Sequence, residues 1–175
     1  MAGDIKLKYP ATSVTMTTTN LQSLGSSATK TVGWTSAAIV NTSNVYNDYL
    51  LSAEFKSGTS PAVNTGWGIW LYAAINDTPT WASIFSAGTA GTEGTCTCFG
   101  STATNVRDAA CRPFGYFTVA ATTNQLTSFA QIGMAQIFGG SMPTHTAVYA
   151  AQDTGATSFA SGNVMYYNPV ISQYT

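Results

Sequence analysis

The chain has 175 residues, of which only thirteen are charged, 6 Lys or Arg and 7 Asp or Glu. That 7% share compares with about 25% in ordinary soluble domains. One histidine and a handful of scattered carboxylates supply little for general acid–base chemistry, so no catalytic residue, metal ligand set or cofactor is expected. A net charge of −1 with six dispersed bases excludes the clustered basic face that nucleic acid requires, and no apolar run reaches the roughly 18 residues of a membrane-spanning helix.

A folded monomer of 18.3 kDa exposes roughly 8,000 Å² by mass scaling, about one charge per 600 Å². Such thin cover is the chemistry of a surface that rests against other protein. Abundant Thr, Ser and Gly beside few helix formers predict an all-β chain of one domain. The opening residues carry bases but no apolar stretch behind them, which predicts a chain made and kept in a cytosol.

Residues 4–9 alternate, with Asp4, Lys6 and Lys8 on one side and Ile5, Leu7 and Tyr9 on the other, before Pro10. This is a half-buried extended pattern. A second run, Ser13 to Thr19, follows, so residues 1–10 read as an N-terminal arm in front of a domain over residues 11–175. Ile5, Lys6, Leu7, Lys8 and Tyr9 are then interface candidates. The competing reading is an edge strand of the domain's own sheet.

Asp48 to Lys56 is the clearest amphipathic strand, with Tyr49, Leu51, Ala53 and Phe55 on one face. It ends at the turn signal Gly58-Thr59-Ser60-Pro61. Gly66 to Ile75 is apolar on both faces, Trp67, Ile69, Leu71 and Ile75 on one and Trp70 and Tyr72 on the other. Trp70 and Tyr72 are candidates for an intersubunit contact, unless a long loop covers them. Trp67, Trp70, Trp81 and Tyr72 with Asn76 and Asp77 also have the composition of an aromatic sugar-binding floor.

From Ser86 to Arg112 periodicity dissolves, and the segment is expected to project as a loop or hairpin. It holds Cys96, Cys98 and Cys111. Reduced, partly buried thiols are the reading their spacing favours over a Cys98–Cys111 bridge or a metal site completed by His145. Asp77 and Glu93 are the carboxylates considered as a glycosidase-like pair. Strands follow at Phe114–Ala120, Gln125–Ile132, Thr146–Ala151 and Asn163–Gln173, with Pro169 marking the last as an edge strand or bulge. About eight strands in all predict a jelly-roll or related Greek-key antiparallel sandwich.

Phe138-Gly139-Gly140-Ser141-Met142-Pro143, Asp153-Thr154-Gly155 and Ser161-Gly162-Asn163-Val164-Met165-Tyr166 resemble the turn signatures of small virion proteins of tailed bacteriophages. So do Lys6-Leu7-Lys8-Tyr9-Pro10, Asn41-Thr42-Ser43 before Tyr46 and Asp48, Gly58 to Pro61, and Tyr72 before Asn76 and Asp77. The similarity covers nearly the whole chain, departing at Ser86–Arg112 and at His145, where an aromatic residue is commoner. It implies a non-enzymatic virion structural protein, assembled in the host bacterial cytoplasm and decorating or cementing the shell through the major capsid protein. A trimer is the oligomer it favours. The same resemblance admits a tail or fibre protein, and the aromatic composition admits a carbohydrate-binding module for host attachment.

Overall fold

The computed structural model describes residues 5–42, 46–99 and 104–174. The first four residues of the expected arm, Ser43 of the Asn41 motif and residues 100–103 of the Ser86–Arg112 segment lie outside the described residues. The strands are β1 (Ile5–Lys8), β2 (Val14–Thr15), β3 (Val32–Thr35), β4 (Ile39–Val40), β5 (Asp48–Lys56), β6 (Gly66–Ala73), β7 (Phe85–Ala87), β8 (Gly94–Cys98), β9 (Arg112–Thr118), β10 (Leu126–Gly133), β11 (His145–Gln152) and β12 (Val164–Tyr174). Among the described residues there is one short α-helix, α1 (Thr104–Ala110), and single 3-10 turns at Thr19–Leu21 and Ala135–Phe138.

Two antiparallel sheets result. A five-stranded sheet has the order β1-β12-β5-β10 with β2 also on β12, and a seven-stranded sheet the order β7-β8-β3-β11-β6-β9 with β4 on β11. With β1 and β2 taken as one interrupted strand, and β3 and β4 as another, the chain changes sheet at every step but one. The exception is β6 to β9, whose connection carries β7, β8 and α1. The all-β sandwich expected from the Thr-rich alternation is what forms.

Alternation decides which side chains fill the space between the sheets. On β5, Tyr49, Leu51, Ala53 and Phe55 are buried while Glu54 faces out, and Phe55 stacks on Trp67 of β6 with ring centroids 4.4 Å apart. Trp34, Ile69, Leu71, Val148, Ala150 and Met165 complete this inner core. β6 and β11 are buried on both faces, because both carry apolar residues at odd and even positions. Their second face, with Trp70, Tyr72, Ala147, Tyr149 and Ala151, forms a separate cluster with Ile84, Cys96, Cys98 and Cys111.

The cover over that second face corrects the expectation for Ser86–Arg112. Its described part does not project. β8 pairs with β3 over Val32↔Thr97 to Thr35↔Gly94, and β7 extends the sheet beyond it. Cys96, Cys98 and Cys111 are each at most 2% exposed, so this aperiodic segment closes a core. Its apolar residues are small and widely spaced among Thr, Gly and Ser, which leaves no period for the eye to follow.

Residues 5–8 also find their partner inside the chain. β1 pairs with β12 in the register Ile5↔Tyr174 to Lys8↔Ile171, the edge-strand reading of the two that alternation allows. β12 is therefore internal, with β5 on one side over Val164–Val170 and β2 then β1 on the other. The Met16 N–H donates to the Met165 carbonyl and the Asn47 N–H to the Val170 carbonyl. Odd residues of β12 thus turn their backbone groups toward the β1–β2 side. Pro169, which has no N–H to offer, turns its nitrogen toward the gap between Tyr167, opposite β2, and Ile171, opposite β1.

Two substitutions separate core from edge. Phe55→Ala should cost about 3–5 kcal/mol in urea denaturation, because it empties the inner stack. Deleting residues 1–9 should lower the melting temperature by only about 2–4 °C, because every residue of β1 is exposed. A larger loss would make β1 part of the folding unit.

Candidate interaction surfaces

Trp70 and Tyr72 do not reach the surface. Trp70 is 8% and Tyr72 1% exposed, since the connection between β6 and β9 lies over them. The Arg107 guanidinium sits 4.2 Å from the Trp70 ring centre and donates to the carbonyls of Thr29 at 2.8 Å and Lys30 at 3.1 Å. The Tyr72 hydroxyl accepts from the Gly91 N–H at 2.9 Å and shares a short hydrogen bond with Thr35 Oγ1. Gly91 has φ +71, and a Cβ there would lie 2.4 Å from the Trp81 ring. Glycine thus lets the cover approach closely.

The aromatic floor considered for a sugar is dispersed. Trp67 stacks in the inner core, and Trp70 and Tyr72 lie beneath the cover. Trp81 is half-buried against Tyr72 in a T-shaped contact at 5.2 Å. The Trp81 ring lines a groove of about 460 Å³ with Pro79, Thr80, Phe85 and Thr89. Asn76 Oδ1 accepts from the Thr80 N–H at 2.9 Å, closing a turn.

Of the two carboxylates considered as a pair, Asp77 is exposed after β6 and Glu93 is held by hydrogen bonds. Its Oε1 accepts from Trp34 Nε1 and from the Asn20 N–H, each at 2.8 Å. Among the described residues no group of three or more His, Cys, Asp or Glu is arranged to hold a metal ion. His145 is 7% exposed on β11 opposite Val40, and its Nδ1 has no partner.

Most charges are engaged in holding loops. Asp48 Oδ1 accepts from the Met134 N–H at 2.9 Å and the Ala135 N–H at 2.7 Å. Lys30 pairs with Asp153, whose carboxylate also accepts from the Gly66 N–H at 2.7 Å and the Tyr116 hydroxyl at 3.2 Å. Burial acts to raise the Asp153 carboxyl, but these donors overcome it and hold it below the ordinary 3.8. Arg107 binds Asp108 at 2.8 Å, and Lys56 lies 4.4 Å over the Phe159 ring. Among the described residues this leaves Lys6, Lys8, Glu54, Asp77 and Arg112 without such a partner.

Two surface features stand out. One is the outer face of the five-stranded sheet, where a groove of about 360 Å³ is lined by Ser52, Glu54, Ser128, Ala130 and Tyr166. It is rimmed by a bulge between Phe129 and Ile132, at which Gln131 adopts φ 54. The other is the β1 edge, where Ile5 is 71%, Leu7 58% and Tyr9 55% exposed. These residues lie beside Lys6 and Lys8, so the N-terminal half of the expected interface is accessible and the Trp70–Tyr72 half is enclosed.

Burial pushes the thiols up, Cys111 to about 12. A maleimide at neutral pH should therefore label none of the three until the chain is unfolded, as intact mass reads directly. Stability should also decline as pH rises above the ordinary thiol value of 9.0. There the unfolded chain releases protons that the folded chain retains up to about 12 at Cys111, so the folded state loses ground.

No protein-family model matches the chain, and neither a curated protein nor a solved structure is significantly similar to it.

Proposed function

We propose that this chain is a non-enzymatic structural subunit of a bacteriophage virion, a decoration or cement protein seated on the major capsid protein. The observation that carries the reading is the distribution of charge. The surface measures 8430 Å², close to the monomer scaling, and among the described residues the charges of Lys30, Asp48, Lys56, Glu93, Arg107, Asp108 and Asp153 are engaged within the fold. A face with few free ions carries a small desolvation penalty when protein covers it. Such a face repels its own copies weakly, which suits a part that works in assembly.

Two further features support the reading. We read the sheet orders as those of an eight-stranded jelly roll, with β7 and β8 as an insertion, a compact block suited to tiling. The turn signatures that resemble those of small virion proteins of tailed phages run from Lys6 to Tyr166. From that resemblance alone come the trimeric state, the seat where shell subunits meet in threes, and assembly in the host cytoplasm. A tail or fibre position would use the same surface chemistry at lower copy number.

Quantitative mass spectrometry of purified particles tests the proposal. The chain should be present at a copy number of the same order as the major capsid protein. Absence from particles overturns the virion reading, and a few copies per particle overturns the decoration role in favour of the tail.

A further inference from the structure

β1 and the end of β12 form a two-stranded ribbon beyond the sandwich. β5 accompanies β12 only as far as Val170, so residues 171–174 have β1 as their strand partner. All four residues of β1 are exposed, as are Ser172 and Gln173. An isolated two-stranded ribbon is marginal in water. This one also presents Ile5 at 71% and Leu7 at 58% exposure.

The hydrogen-bond parity of β12 fixes which groups of β1 are open. Odd residues of β12 direct their backbone groups to this side, so Ile171 and Gln173 exchange bonds with Lys8 and Lys6, the residues opposite them. The N–H and C=O groups of Ile5 and Leu7 then point away from β12, and among the described residues no strand but β12 pairs with β1. The free edge therefore has backbone donors and acceptors at two apolar residues. Lys6 and Lys8 stand on the opposite face of the ribbon from Ile5 and Leu7.

Among the described residues of this edge, a second copy offers no acid to face Lys6 and Lys8. Where Ile5 faces Leu7 in an antiparallel self-pairing Lys6 meets Lys6, and where Leu7 faces Leu7 Lys6 meets Lys8, and like charges directly opposite destabilise a ladder. The other edge strands, β7, β9 and β10, carry no Asp or Glu.

We propose that β1 is a docking edge for an extended segment of a different protein, one with carboxylates at alternate positions and apolar residues between them. The added strand bonds to Ile5 and Leu7 of this chain, sets its acids against Lys6 and Lys8, and covers the apolar face. The inference rests on the reading of the chain as an assembly subunit and specifies the chemistry of its partner.

The test uses the full chain and two capped peptides, one of alternating Asp and Val and one of alternating Lys and Val. The Asp peptide should shift the backbone amide signals of Ile5 and Leu7 in NMR titration and slow their hydrogen exchange, with affinity that falls as salt rises. The paired substitutions Lys6→Glu and Lys8→Glu lie on the exposed ribbon and should leave the fold intact. They should weaken the Asp peptide by roughly tenfold and make the Lys peptide the better ligand. Silent Ile5 and Leu7 amides, equal binding of both peptides, or concentration-dependent protection of these amides without peptide would each overturn the proposal. Particle-bound protein with a silent edge sinks this inference alone, whereas a responsive edge on a protein absent from particles sinks the virion reading alone.

Discussion

The structure depends on hiding two apolar faces of one sheet. β6 and β11 bury Trp67, Ile69, Leu71, Val148 and Ala150 on one side and Trp70, Tyr72, Ala147, Tyr149 and Ala151 on the other. The five-stranded sheet covers the first face, chiefly through the Phe55–Trp67 stack. Only the long connection between β6 and β9 is available for the second. Arg107 over Trp70 and Tyr72 bonded to Gly91 fasten it there. Were that cover to lift, aromatic surface would be exposed across the central strands, a recipe for aggregation in a chain with few charges.

The same economy of charge shapes the outside. Ionic groups are placed where loops need an anchor. Asp48 holds the turn after β10, Glu93 ties Asn20 to Trp34, and Asp153 joins Lys30, Gly66 and Tyr116. What remains on the described surface is largely hydroxyl, amide and apolar chemistry, with Glu54, Asp77 and Arg112 scattered over it and large apolar side chains exposed singly, Ile75 just past β6 and Leu126 among them; the β1 edge gathers both kinds. There two cations and two large apolar residues share four positions. Internal support for the loops and an accommodating exterior are thus two consequences of one distribution.

Much of this was legible in the sequence where a period was strict. The alternation of Asp48–Lys56 foretells β5 and its buried face, and the two-sided apolar pattern of Gly66–Ile75 foretells a central strand. What alternation cannot reveal is what covers the second face. Cys96, Cys98 and Ala110 are too small and Ile84 too isolated to announce a core, and Arg107, buried at 7% exposure, looks from sequence like a surface cation. Trp70 and Tyr72 were for that reason ambiguous between an interface and an interior. Pro169 misled, because β12 is internal and runs in unbroken register along β5; its missing donor is tolerated at the break between β1 and β2.

The account makes the β1 edge the part of the molecule that changes state on assembly. Hydrogen–deuterium exchange compared between the free chain and the chain on particles measures this directly. In the free chain β6 and β11 should exchange slowly and the outward amides of Ile5 and Leu7 quickly. On particles those two amides should become protected while the sandwich core keeps its pattern. Unchanged exchange at Ile5 and Leu7 upon assembly, with new protection confined to another face, would contradict the account.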